Sequence, residues 1–138
     1  MRVIGDLLPH EKPMLLLDEV VSIDETSLKA AATIGPESLF LEAEGVPVHI
    51  GVEYMAQACA AFAGAKARGE GGEVVRGFLL GTRHFRAHAA YFRLHDRLLI
   101  EVRQSYADAA LAAFAARIEV EGRLAAEAEL TVYHPQHP

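Results

Sequence analysis

At 138 residues, with 51% hydrophobic and 23% charged side chains, the chain reads as one globular domain, residues 1–138, large enough for a substantial core. A net charge of −6 argues against nucleic acid as the main partner, and the lone Cys59 excludes an intrachain disulfide and suits a reducing cytoplasm. The opening Met1-Arg2-Val3-Ile4-Gly5-Asp6 meets a charge before any apolar region forms, so neither a signal peptide nor membrane attachment is expected.

In chain order, Ile4 to Leu8 can form one helical turn, ended by Pro9. Met14 to Ile23 is a strand candidate with the unbroken apolar start Met14-Leu15-Leu16-Leu17. Ser27 to Ile34 alternates, with Leu28, Ala30, Ala32 and Ile34 on one face, and Asp24-Glu25-Thr26 reads as the turn between the two strands. Gly35 to Val48 is irregular. From Tyr54 to Ala65 no side chain is charged, and apolar residues occur all the way round, which predicts a buried helix ending near Gly69. Gly69-Glu70-Gly71-Gly72 is a loop signal, and Val74 to Phe85 is a further strand candidate.

The last third sets composition against pattern. Its alanines favour helix. Yet Leu98, Ile100 and Val102 alternate with Arg97, Glu101 and Arg103. Phe114, Ala116, Ile118 and Val120 alternate with charges in the same way, as do Leu124, Ala126, Ala128, Leu130 and Val132. Period two over three segments outweighs alanine propensity, and Glu121-Gly122-Arg123 supplies a tight hairpin. Two strands, one buried helix and four strands predict an α+β hotdog fold, an antiparallel sheet wrapped around a central helix. Such a sheet leaves an edge strand unpaired, and edge-to-edge pairing into a homodimer is the expected remedy.

Glu53 stands in the first turn of the predicted helix. A carboxylate there is costly to desolvate, is partly compensated by the positive helix end, and would have its pKa raised by burial. The next motifs carry a family likeness. Leu8-Pro9-His10-Glu11-Lys12-Pro13-Met14-Leu15-Leu16-Leu17-Asp18, Pro47 six residues before Glu53, Glu53-x-Met55-Ala56-Gln57 and Phe85-Arg86 resemble motifs of the hotdog dehydratases that act on 3-hydroxyacyl groups carried by acyl carrier protein. Gly51 to Gln57 and Phe78 to Arg83 are most similar to the divergent branch associated with aryl polyene biosynthesis. The resemblance covers nearly the whole chain. It implies dehydration to a trans-2-enoyl thioester, no cofactor, and an acyl carrier protein as partner. One departure matters: the position of the catalytic histidine in the family's Gly-His-Phe-Pro, fourteen residues before the acidic residue, is occupied here by Leu39.

Dehydration needs a base for the proton beside the carbonyl, an acid for the departing hydroxyl, and donors for the thioester oxygen. Glu53 is the candidate acid. Free amides around Val48, Gly51 and Val52 at the helix start are the candidate donors. His10, beside the start of the first strand, and His49, four residues before Glu53, are the candidate bases. Arg83, Arg86 and Arg93, with Arg97, form the one basic stretch in an acidic chain, read either as a solvated face or as a docking patch for an acidic carrier. His84, His88 and His95 lack a matching carboxylate pattern, so no metal is expected, and Cys59 reads as a small core residue. Gln57 is expected to satisfy a backbone group. Two further readings stay open: an acyl thioesterase in which Glu53 activates water, and a non-catalytic partner of a competent dehydratase.

Overall fold

The computed structural model describes residues 15–69, 78–108 and 110–133. Along them run β1 (Glu19–Ile23), β2 (Ser27–Thr33), β3 (Val46–Pro47), a 3-10 turn (Val48–Ile50), α1 (Gly51–Gly69), β4 (Phe78–Ala87), β5 (Tyr91–Phe92), β6 (Arg97–Ala107), β7 (Leu111–Val120) and β8 (Arg123–Tyr133). The predicted turn at Ile4 to Leu8 lies outside the described residues. Six strands form one antiparallel sheet in the order β1-β2-β6-β7-β8-β4, while β3 and β5 pair separately. Helix α1 lies on the sheet's inner face, against β2, β6, β7 and β8. This is the hotdog architecture that the alternating pattern predicts.

Alternation decides the Ala-rich third. Leu98, Ile100, Val102, Phe114, Ile118 and Leu130 are buried with Met55 and Phe62 of the helix, and the Phe62 and Phe114 rings meet edge-on at 5.8 Å. Alanines between the large residues, such as Ala30, Ala116 and Ala126, leave room for the helix. The outer face carries the charges, and register matches their signs. Lys29 lies opposite Glu101, Glu101 opposite Arg117, Arg117 opposite Glu127, and Glu127 opposite Arg86. Opposite charges on facing strands each contribute about 0.2–1 kcal/mol, so this row fixes register across five strands.

The turns follow their residues. Glu121 and Gly122 both have positive φ, at 52° and 77°, the geometry of a two-residue hairpin whose twist matches the strands. At the β1–β2 turn the Asp24 carboxylate accepts from the Thr26 and Ser27 amides at 2.9 and 2.8 Å and from the Ser27 hydroxyl at 3.0 Å. The Thr26 amide bond, then the Ser27 bonds, hold its pKa below 3.8. A carboxylate depressed by folding stabilises the fold fully above its unfolded pKa, and this support is lost as pH falls through the lower folded value. The thermal midpoint of the wild type should therefore fall more steeply on acidification below 3.8 than that of Asp24→Asn. Equal acid slopes by circular dichroism would rule this out.

The first strand is shorter than its apolar run. It begins at Glu19, although the Asp18 amide still bonds the Ala31 carbonyl of β2 at 2.8 Å; upstream the Leu16 amide donates to Gln57 Oε1 at 2.8 Å, and Asp18 Oδ2 accepts from the Thr33 amide at 2.7 Å. The candidate strand from Val74 is described only from Phe78, and continues to Ala87.

Candidate active site

The start of α1 is placed by the two-residue pairing of β3 with β5. Gly45 precedes it with φ 131°, and a Cβ there would lie 2.3 Å from the Phe92 carbonyl oxygen. Val46 pairs with Phe92 and Pro47 with Tyr91, and the Val48 amide then donates to the Ala90 carbonyl at 3.0 Å. Val48 therefore has no free amide to offer a ligand. Gly51 lets the helix start approach closely, since a Cβ would sit 3.1 Å from Ile118 Cδ1 and 3.4 Å from the Phe92 ring. The Gly51 amide turns back toward the His49 and Val48 carbonyls. The donors left to the first turn come from Val52 onward, where an α-helix has no carbonyl partners of its own before the ladder begins.

Glu53 follows, and it is exposed. This corrects the expectation of a carboxylate buried with its helix. The helix is not covered all round: Val52, Ala56, Ala60 and Ala63 form a half-buried stripe headed by Glu53, while Tyr54, Met55, Ala58, Cys59 and Phe62 are buried against the sheet. Small apolar residues on every side conceal which side the sheet covers.

His49 is exposed on the 3-10 turn, and among the described residues no hydrogen bond or ion pair joins it to Glu53. His10 lies outside the described residues. Leu39, at the position of the family's histidine, is half-buried in the loop after β2. The arginines do not gather. Arg83 and Arg86 lie on β4, opposite Glu129 and Glu127 of β8. Arg93 borders a surface hollow with Glu42 and Glu44, and Arg97 pairs with Glu19 at 3.1 Å.

His84 faces Glu129 at 3.6 Å and His88 faces Glu127 at 2.8 Å, and among the described residues no three potential metal ligands converge. Burial pushes the Cys59 thiol far above its usual pKa, so it sits in the core as a neutral apolar group.

Gln57, one turn after Glu53, is buried, and through the Leu16 amide it ties the segment before β1 to the helix. Gln57→Leu should cost about 1–2 kcal/mol, because it strands that amide without an acceptor. Faster hydrogen exchange across residues 15–18 with little change in β6 to β8 would be the signature; uniform loss of protection would exclude it.

Known structures share this arrangement. The chain superposes on a chain of the dehydratase heterocomplex ApeI:P from Xenorhabdus doucetiae with a TM-score of 0.92 and 24% identity, covering 99% of this chain and 93% of that one. A hypothetical thioesterase with coenzyme A from Streptococcus pneumoniae TIGR4 gives a TM-score of 0.69 at 13% identity, over 86% of each chain. The protein smu.793 from Streptococcus mutans UA159, bound to acetyl CoA, gives 0.71 at 12% identity, over 93% of this chain and 95% of that one. These likenesses establish the hotdog fold. No curated protein matches the chain significantly. The family model ApeP-like, described as ApeP dehydratase, matches residues 2–138. With its sheet, its central helix and nearly every residue accounted for by that match, the chain belongs to the ApeP-like dehydratase family.

Proposed function

We propose that the protein dehydrates 3-hydroxyacyl thioesters carried on acyl carrier protein to trans-2-enoyl thioesters, as one step of fatty acid or polyene-type biosynthesis in the cytoplasm. The observation that supports this reading is Glu53, an exposed carboxylate on the first turn of the central helix in a chain of the ApeP-like dehydratase family. In this mechanism a histidine, His10 or His49, removes a proton from C2. The negative charge that grows on the thioester oxygen is held by amides from Val52 onward. Glu53, as the general acid, gives a proton to the hydroxyl on C3, the C–O bond breaks, water leaves and the C2–C3 double bond forms. The proton on the imidazole then returns to the Glu53 carboxylate, which restores the starting state.

The chain works as a homodimer in this reading. Support comes from the edge strand β4 and from the half-buried stripe Val52, Ala56, Ala60 and Ala63, which leads to Glu53. Arg83, Arg86 and Arg93 dock the carrier; all three have carboxylates nearby, so docking uses alternating charge and not an unopposed basic patch.

A second reading has a specific observation behind it. The similar fold in ApeI:P is part of a heterocomplex, and this chain has Leu39 where the standard dehydratases have histidine. A partner subunit would then supply the base.

The test is incubation of the purified chain, alone and with a competent dehydratase, with 3-hydroxyacyl and saturated acyl carrier thioesters, with products resolved by mass. Loss of water by the chain alone supports the first reading. Loss of water only in the mixture, above what the dehydratase gives by itself, supports the second. Hydrolysis of the saturated thioester would replace both with a thioesterase. A dimer by light scattering at micromolar concentration is the expected state; a monomer would remove the homodimeric site.

A further inference from the structure

The outer face of the sheet, turned away from α1, holds an open hollow of about 580 Å³. Three arginines, Arg86, Arg103 and Arg117, line it against three glutamates, Glu101, Glu127 and Glu129, with His84 beside them. With that histidine neutral the formal charges cancel, while the whole chain carries −6. The excess negative charge therefore lies elsewhere, and on this face two copies of an acidic chain meet without net repulsion. The arginines are not used up inside the chain. Among the described residues Arg86 and Arg103 make no ion pair; Arg103 donates to the Thr26 hydroxyl at 3.3 Å, and Arg117 reaches Glu119 of its own strand at 3.7 Å. Glu127 and Glu129 meet His88 and His84 instead. Between Arg103 and Glu129, β7 presents Ala115, which is exposed. Alanine is depleted in strands, and here it leaves a gap between a cation and a carboxylate.

We propose that this face binds the same face of a second copy, across a two-fold axis that runs parallel to the strands between β6 and β7. Sheets packed face to face keep their strands nearly aligned, and a two-fold contact uses one patch on both sides. The position of the axis decides the signs. An axis over β7 sets Glu101 of one copy on Glu127 of the other, and an axis over β6 sets Lys29 on Arg117, like charge on like. An axis between the two strands sets Glu101 on Arg117 of the second copy and Lys29 on its Glu127, and each contact occurs twice. In the neighbouring row the same axis sets Arg103 over Ala115 of the second copy, beside its Glu129, so the gap receives a guanidinium. A partner of a single charge sign would leave half of this lining against like charge. The contact uses side chains of the face and leaves the backbone edge of β4 free, so it doubles whatever species that edge forms. It does not rest on the dehydratase reading, and its failure leaves that reading untouched.

The test is sedimentation equilibrium of the purified full-length chain from micromolar to millimolar concentration. In about 20 mM salt the mass should double over that range, and in about 500 mM salt half-association should need at least about tenfold more protein, because screening weakens charge contacts. Ala115→Arg fills the gap and sets like charge against Arg103 of the second copy, so it should weaken association by at least about tenfold. Its thermal midpoint at micromolar concentration should hold, since the new guanidinium lies beside Glu129 in its own sheet. Glu101→Arg should weaken association as well, and adding Arg117→Glu should restore it. Within one sheet that double variant sets like charges side by side, next to Lys29 and Glu127, so recovery is not what a row serving only the fold would show. No doubling at millimolar concentration would leave the face to another partner and overturn the proposal. Association that strengthens with salt, doubling that survives Ala115→Arg, or a double variant that folds yet stays dissociated would each overturn it too.

Discussion

Glu53→Gln should lower dehydration by 10²-fold or more while leaving the fold intact, because general acid catalysis contributes about that much and the residue carries no structural contact that the fold needs. Glu53 is exposed, and among the described residues it makes no ion pair or side-chain hydrogen bond. Glutamine has the same length and keeps an acceptor, but has no proton to give to the leaving hydroxyl. The thermal midpoint should stay within a degree or two. The imidazole is then assigned by single replacements: alanine at the true base, His10 or His49, abolishes elimination while substrate still binds, and alanine at the other leaves the rate within a few fold. Turnover unchanged in Glu53→Gln would reduce Glu53 to a carboxylate that complements the helix dipole, and the partner-subunit reading would lead. Full dehydration by both histidine variants would show that neither imidazole is the base, and this mechanism would be wrong.

The parts of this molecule that could be read from its sequence are those in which neighbouring residues carry the information. The sheet is one. Lys29, Glu101, Arg117, Glu127 and Arg86 mark the outer face in each strand separately, and their register then joins them into one row. Asp24 and Glu121-Gly122 are likewise local, since a carboxylate over two amides and two residues of positive φ define their turns. What could not be read depends on contacts between distant segments. Leu15 and Leu16 look like strand, but the Leu16 amide is taken by a side chain on the central helix, Gln57. The pairing of β3 with β5 is two residues long and leaves no periodicity to detect. Glu53 was expected to be buried because alanines do not reveal which side of a helix is covered. Tyr54 was one letter in an apolar run.

Gly45→Ala should be the most damaging small substitution in the lead-in to the site. At φ 131° a residue with a Cβ is strained whatever the space around it, and here that Cβ would lie 2.3 Å from the Phe92 carbonyl oxygen and 3.2 Å from Arg93 Cα. Backbone cannot rotate aside as a side chain tip can, so the β3–β5 pairing must open or shift. The expected cost is on the order of 3 kcal/mol, a fall of about 10 °C in thermal midpoint for a chain of this size. The damage also reaches function. Val46 and Val48 bond to β5 and Ala90, and Gly51 packs on Phe92, so a displaced Phe92 carries the first turn of α1 and Glu53 with it. Gly35→Ala is the control: a Cβ there meets nothing within 4 Å and φ is not positive, so that variant should be neutral or slightly more stable through a less flexible unfolded chain. Similar midpoints for the two variants would show that the β3–β5 pairing does not hold the helix start, and the placement of Glu53 would then rest on the packing of α1 against the sheet alone.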